Sequence, residues 1–381
     1  MPPFGSSAPY LHLSLHAANK DMRMFFKRGI RSSGAQVGGD NGNTISLQHN
    51  ENYWMLDENT VAAYRAASAG TFATYPDYGA LNEALGRYTG FEHSMLCATA
   101  GSDAAIRLIA EHCAAEQVRI LLPVPTFYGY ERILGQVGLA FDSISYRMEN
   151  GRFKFPMEEI LERLQGQRIG AVFLCQPNNP LGMLIPMREM DAILDAARDA
   201  GVLAIVDEAY YEFAGYTAMR RVGTQPIIIL RTLSKAFGLA GARVGYYIAE
   251  RSLIQKIQSR SLPWPIAHQS VRAALAGLER ADYFRAKIAE ITRARGAFSQ
   301  LLQQVPGLVV FPSDTNFVFV RMAHAEEVVR TLRTRGILVA YCGGMSAVPE
   351  AAALLKEGIR MTVPAPRDQS RVVDAFGLDK I

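Results

Sequence analysis

The chain predicts an α/β protein with one large, mostly parallel sheet covered by helices, and three observations carry that expectation. The runs over 120–124, 169–176, 203–207 and 227–231 are apolar almost throughout. Such runs mark strands buried on both faces, as in a parallel sheet with helices on either side. Segments with apolar residues at helical spacing separate them. Polar residues gather directly behind three of these runs: Asn178 and Asn179 behind the second, Asp207 at the end of the third, and Thr232 to Lys235 behind the fourth. In this architecture ligands lie beyond the carboxyl ends of the strands.

At 381 residues the chain is long enough for about two domains with a large core. Hydrophobic residues make up 49% and charged residues 20%, a folded-protein profile, and the net charge of +4 is scattered without a block of like sign. Neither a nucleic-acid surface nor a membrane surface is expected. The first thirty residues lack the apolar core of a signal peptide, and no apolar run reaches membrane-spanning length, so the expected location is cytoplasmic. Cys97, Cys113, Cys175 and Cys342 are far apart, with no C-x-x-C pair and no metal-spaced histidines. They read as buried, reduced thiols, and no metal is expected.

In chain order, an amphipathic piece over 11–30 precedes a Gly-, Ser- and Asn-rich loop over 31–43. A short strand from Ile45 runs into the cluster Asn50-Glu51-Asn52-Tyr53-Trp54, which reads either as a turn or as part of a substrate pocket. A helix over 57–69 leads to the loop Tyr75-Pro76-Asp77, and a second helix covers 81–89. A strand over 95–99 ends in Ala100-Gly101-Ser102-Asp103 and feeds a helix over 104–115. That small-residue turn offers free N–H groups and a positive dipole end to an anion, and Asp103 also suits a plain N-cap. Strands over 120–124, 140–146, 169–176, 203–207 and 227–231 then alternate with helices over 127–135, 156–164 and 187–200. A helix is expected over 248–258, and after Pro263-Trp264-Pro265 long helices over 267–278 and 283–305. Strands over 309–311, 316–321, 337–339 and 358–362, with a helix over 325–335, form a second, smaller α/β unit. The expected division is an arm and part of the small domain over 1–60, a large domain over 61–262, and a small domain over 263–381.

The stretch Arg231-Thr-Leu-Ser-Lys-Ala-Phe-Gly-Leu-Ala-Gly-Ala-Arg243 holds a single lysine among small, hydroxyl and apolar residues. Lys235 reads as an amine held to form a Schiff base, with Thr232, Ser234 and Arg243 as receptors for a dianionic phosphate. Pyridoxal phosphate is the commonest carbonyl partner of that kind.

Asn179-Pro-x-Gly182, Asp207-Glu-Ala-Tyr210, Ser234-Lys235, Arg243 and Arg360 stand in the order and approximate spacing of the class I/II aminotransferases of fold type I. From about residue 45 onward the chain resembles that family. Leu47-x-x-Asn50-Glu51-Asn52, Tyr75-Pro76-Asp77, Gly101-Ser102-Asp103, Thr315-Asn316-Phe317 and the Lys235 stretch resemble most the histidinol-phosphate aminotransferase branch.

The resemblance implies an aspartate-aminotransferase-like fold, pyridoxal 5'-phosphate as cofactor and a role in amino-acid biosynthesis. It implies that Lys235 carries the cofactor as an aldimine and shuttles the proton. Asp207 would pair with the pyridine nitrogen, while Tyr210 and Asn179 would bond the phenolic oxygen and Phe127 would stack on the ring. The backbone of Ser102 and Asp103, Thr232 or Ser234, and Arg243 would hold the phosphate. Tyr75 resembles a tyrosine that reaches the phosphate from the other subunit of a homodimer. Arg360 resembles the arginine that grips the substrate's anionic group, and Asn50, Tyr53 and Trp54 would line the substrate mouth.

The reaction implied is ping-pong transfer of an amino group between an amino acid or amino-alcohol phosphate and a 2-oxo acid. A decarboxylase, lyase or specialised biosynthetic enzyme on the same cofactor stays open beside it. A cofactor-sensing transcription regulator would need an N-terminal DNA-binding domain, for which the residues before Ile45 are too few and too Gly-rich. Three departures stand out: Leu181 replaces threonine in Asn-Pro-Thr-Gly, Tyr53 and Trp54 replace the usual proline stretch, and Ala340 stands where the branch tends to carry an arginine.

Overall fold

The computed structural model describes residues 44–66, 69–166 and 168–377. The amphipathic piece expected over 11–30 and the loop over 31–43 lie outside the described residues. The larger sheet has seven strands: β1 (Leu96–Thr99), β2 (Ile120–Val124), β3 (Phe141–Ser145), β4 (Ala171–Cys175), β5 (Leu203–Asp207), β6 (Ile227–Thr232) and β7 (Gly245–Ala249). Their order is β1-β7-β6-β5-β4-β2-β3. Every pairing is parallel except those of β7, which runs antiparallel to both β1 and β6.

The apolar runs become strands because both sides of each are covered. In β6, Ile227 and Ile229 enter one apolar cluster, while Ile228 and Leu230 enter the cluster on the opposite face. The first cluster takes in the helices Gly79–Thr89, Met187–Asp199 and His268–Glu279; the second takes in Ser102–Ala115, Tyr128–Gln136 and Arg251–Gln258. Each fully buried Ile, Leu or Val side chain is worth roughly 1.5–3 kcal/mol, so the alternation holds the strand from both sides.

The structure corrects one element. The helix expected over 248–258 begins only at Arg251, and Gly245–Ala249 is strand β7. Tyr246, Tyr247 and Ile248 are buried side chains that suit a strand wedged between β1 and β6. Glu250 then caps the helix, its carboxylate accepting from Ser252 N at 3.0 Å. The segment over 57–69 forms Glu58–Arg65 and a separate short helix Ala69–Ala73. The hairpin Arg147–Glu149 with Arg152–Lys154 and the helix Pro349–Leu355 carried no sequence expectation.

The smaller sheet is antiparallel: β8 (Val309–Val310), β9 (Phe317–Arg321), β10 (Ala340–Tyr341) and β11 (Gly358–Thr362), in the order β8-β9-β11-β10. Ile45–Ser46 pairs in parallel with Ile337–Leu338, and Leu47 O accepts from Thr362 N at 2.8 Å. The first described segment is thus tied to C-terminal strands, which delivers His49 to Asn52 to the edge of the larger sheet. From Thr44 onward the chain forms one compact unit. Phe153 of the hairpin packs on Phe311 and Phe319, with ring centroids 4.8 and 5.5 Å away. The four cysteines are buried and unpaired. Among the described residues, no helix is long and apolar enough to cross a membrane, and no cluster of His, Cys, Asp or Glu could hold a metal.

Candidate active site

A cavity of about 420 Å³ opens where β4, β5 and β6 end and where the 49–51 segment and β11 meet them. Asp207, the last residue of β5, lies on its floor and is 4% exposed. Its Oδ2 accepts from the Tyr130 hydroxyl at 2.6 Å and its Oδ1 from Ala209 N at 3.0 Å. Burial pushes the carboxyl up to about 6, and those two hydrogen bonds oppose the rise. No cation among the described residues pairs with it. The site therefore holds a buried carboxylate suited to a cationic ring N–H.

Lys235 sits in the turn behind β6, and its Nζ donates to His49 O at 3.0 Å. Burial lowers the amine to about 8, and the Arg360 guanidinium pushes in the same direction. Glu51 and Asp103 oppose that drop. Tyr210 presents its hydroxyl to Asn50 Nδ2 at 2.9 Å and to Asn179 Nδ2 at 3.4 Å.

At the other end is a cradle for an anion. The helix Ser102–Ala115 points its N-terminus into the cavity, and its free N–H groups lie beside the hydroxyls of Thr232 and Ser234, which are 2.9 Å apart. Arg243, itself at φ 52°, reaches over Gly101 and donates to Asp103 Oδ2 at 3.0 Å. Two glycines make room for this. A Cβ at Gly101 (φ 79°) would lie 2.3 Å from Arg243 Nη2, and one at Gly245 would lie 2.5 Å from Ser102 N.

Phe127 lines the wall and is held by edge contacts to Tyr128 and Tyr130 at 5.1 and 5.6 Å. Arg360, in the middle of β11, is 5% exposed and faces the cavity. Its Nη1 donates to Asn179 Oδ1 at 2.5 Å and its Nη2 to Gln48 O at 2.8 Å, while its Nε has no partner.

The cavity thus brings together Lys235, Asp207, Tyr210, Asn179, Ser102, Asp103, Phe127, Thr232, Ser234, Arg243, Arg360 and Asn50. Three expected residues stand outside its lining. Trp54 turns inward, its Nε1 donating to Val363 O at 3.3 Å, and Tyr53 is 43% exposed. The 3₁₀ turn Tyr53–Met55 buries Met55 and carries both rings away from the cavity edge, so they do not line it within this chain. Tyr75 is 73% exposed and stacks on Trp264 at 4.2 Å.

The structure adds His49, whose carbonyl receives Lys235, and Tyr130, which bonds Asp207. Tyr130 gave a faint signal, a hydroxyl-bearing aromatic one turn into a helix that starts at the sheet edge. His49 gave none, because its main chain does the work.

A buried carboxylate at one end, hydroxyls, N–H groups and a guanidinium at the other, and a depressed amine between them fit pyridoxal phosphate.

The family model for aminotransferase class I and II matches residues 20–375. A histidinol-phosphate aminotransferase 2 of Archaeoglobus fulgidus is 32% identical over 337 residues, covering 87% of this chain and 92% of that protein. Two solved structures share the fold. The histidinol-phosphate aminotransferase of Sinorhizobium meliloti, in complex with pyridoxal-5'-phosphate, aligns with TM-score 0.75 and 22% identity over 88% of this chain and 90% of that one. The L-threonine-O-3-phosphate decarboxylase of Porphyromonas gingivalis aligns with TM-score 0.73 and 20% identity over 87% and 98%. With a family match over most of its length and a relative above 30% identity across nearly all of both chains, the protein belongs to the class I and II aminotransferases and is a pyridoxal-phosphate-dependent enzyme.

Proposed function

We propose that this aminotransferase accepts an amino donor with one anionic end, an amino acid or an amino-alcohol phosphate, and passes the amino group to a 2-oxo acid. The observation that carries this reading is Arg360, a buried guanidinium facing the cavity with its Nε unpaired. Its neighbour in register on β10 is Ala340, so β10 adds no second cation beside it. A single guanidinium binds a carboxylate or a phosphate in bidentate fashion. The similarity to histidinol-phosphate aminotransferases makes histidinol phosphate one candidate donor, and the absence of a cation at Ala340 favours a carboxylate-ended donor over it.

Bound pyridoxal phosphate supplies an aldehyde and an electron-accepting ring. Asp207 would hold the ring N–H, and Tyr210 with Asn179 would hold the ring oxygen. Ser102 and Asp103 through their backbone, Thr232 or Ser234 through a hydroxyl, and Arg243 would bind the phosphate, with Phe127 against the ring. Lys235 Nζ would take the proton from the donor's Cα and return one to the opposite end of the reacting system; a depressed pKa suits that base role. Arg360 would fix the donor's anionic end and thereby choose which Cα bond is broken.

We read the working form as a cytoplasmic homodimer in which Tyr75 of one protomer completes the other's phosphate site. A large domain over 61–262 and a smaller one formed by 263–381 with the segment before residue 60 belong to the same reading. A panel of donors, histidinol phosphate, glutamate and aromatic amino acids among them, assayed with a 2-oxo acid for keto product, tests it. Carbon dioxide release without keto product, or full activity in Arg360→Met, overturns it.

A further inference from the structure

We propose that Asn316 is a positioning residue for the transamination site, placing Lys235 and the Tyr210 hydroxyl through a chain of buried amide hydrogen bonds. The inference rests on the reading of Lys235 as the reacting amine. Asn316 precedes β9, is fully buried, and has no part in the cavity lining, so it does not touch the reacting groups. Its Nδ2 donates to Asn50 O at 3.0 Å and to Asn52 Oδ1 at 2.9 Å.

From there the path divides. Asn52, 2% exposed, donates through Nδ2 to the main-chain carbonyl of Lys235 at 2.7 Å. Asn50, 1% exposed and held at φ 56°, donates through Nδ2 to the Tyr210 hydroxyl at 2.9 Å. The residue next to Asn50 is His49, whose carbonyl receives Lys235 Nζ at 3.0 Å. Both ends of the lysine, its carbonyl and its amine, are therefore held by one four-residue segment. Asn316 is the side chain that grips this segment from the smaller sheet.

The chemistry requires a donor at this point. Two acceptors, Asn50 O and Asn52 Oδ1, converge on one amide nitrogen, and only a group with two N–H bonds satisfies both. Asparagine tolerates a left-handed φ better than other non-glycine residues, and the bonds at Asn50 O and Nδ2 hold Asn50 in it. Networks of this kind set geometry more than affinity, and small displacements of a reacting group are costly in rate.

The test uses the cofactor-loaded enzyme and Asn316→Asp, which keeps the shape and removes the donor. The expected result is a fall of about 10- to 100-fold in kcat with KM changed by less than about threefold, and a displaced pH midpoint of the bound cofactor's visible band. Asn52→Asp retains the bond from Asn316 and removes only the donor to the Lys235 carbonyl. It should displace the midpoint in the same direction, and it tests the same path should Asn316→Asp fail to fold. The two changes together should cost no more than the larger alone, as members of one path.

Gln369→Met is the control: it removes a buried amide that bonds Ala294 O at 2.9 Å, away from the cavity. It should lower the melting temperature and leave the midpoint in place. The proposal is overturned if Asn316→Asp or Asn52→Asp keeps the parental midpoint and kcat, or follows Gln369→Met in losing stability alone. Failure of the underlying reading looks different: the parent would show no cofactor band, or Lys235→Ala would keep it.

Discussion

Lys235 and Asp207 are both driven by burial toward their neutral forms, and each consequence can be measured. For Lys235, the Arg360 charge adds to burial and Glu51 works against it, leaving the amine at about 8. Capture of pyridoxal phosphate by the cofactor-free chain, trapped by borohydride, should rise through about pH 8. Arg360→Met removes a repelling charge and should move that midpoint up. Glu51→Gln removes an attracting one and should move it down; movement of both in one direction refutes the electrostatic account.

For Asp207 the pKa rises from 3.8 to about 6. Between those values the folded chain keeps a proton that the unfolded chain has released, so stability falls as pH rises through the window. Above about pH 6 the deficit is complete, on the order of 3 kcal/mol. Cofactor-free Asp207→Asn should therefore melt above the parent at pH 8 and close to it at pH 4 by calorimetry, while its cofactor affinity drops. The sequence shows both residues, and the motif order gives the roles expected of them. The pKa of Lys235 depends on Arg360, 125 positions further along the chain, and that of Asp207 on its burial and on Tyr130, 77 positions before it.

The ends of β5 and β6 are joined beneath the site by an ion pair that the apolar pattern concealed. Arg231, 2% exposed, donates through Nε and Nη2 to Glu208 Oε2 at 3.0 and 2.8 Å, and its guanidinium stacks on Tyr211 at 3.4 Å. Glu208 Oε1 also accepts from Ala218 N at 2.6 Å. The pair lies directly behind Asp207 and Thr232 and holds their strands in register. Arg231→Met leaves a buried carboxylate without its cation and should cost about 3–5 kcal/mol in denaturant unfolding. Adding Glu208→Leu should recover a good part of that loss; a double variant as unstable as the single one would contradict this. At this scale the strands buried on both faces were legible from their apolar runs. β7 was not, because its Tyr-Tyr-Ile run abuts a helical pattern and only its position between β1 and β6 selects extended backbone.

On the surface, Phe72, Tyr75, Leu262 and Trp264 are 70%, 73%, 75% and 53% exposed, and Tyr75 stacks on Trp264. Large apolar side chains exposed in two neighbouring stretches are unusual on a lone protomer and suit the proposed dimer. If Tyr75 completes the partner's site, mixing Lys235→Ala with Tyr75→Ala protomers should give more activity than the two variants measured apart, because one site in each mixed dimer keeps both residues. Sedimentation of Tyr75→Ala alone checks that the dimer persists. Activity that never exceeds the sum of the two assigns Tyr75 to its own chain's surface.

The sequence by itself determined the sheet type, the strand ends that carry polar groups, and the cofactor, because each follows from local pattern or from motifs confined to a few residues. Tertiary structure decided what surrounds them. It placed Asn50 and Glu51 at the cavity and turned the half-buried Trp54 against the core, beside the 3₁₀ turn's buried Met55. It also brought His49 and Arg360 from both ends of the chain to Lys235, and Asn316 to the segment that holds it. Contacts of that range leave no mark on local composition, since any asparagine or histidine reads as a turn former until a distant strand supplies its partner.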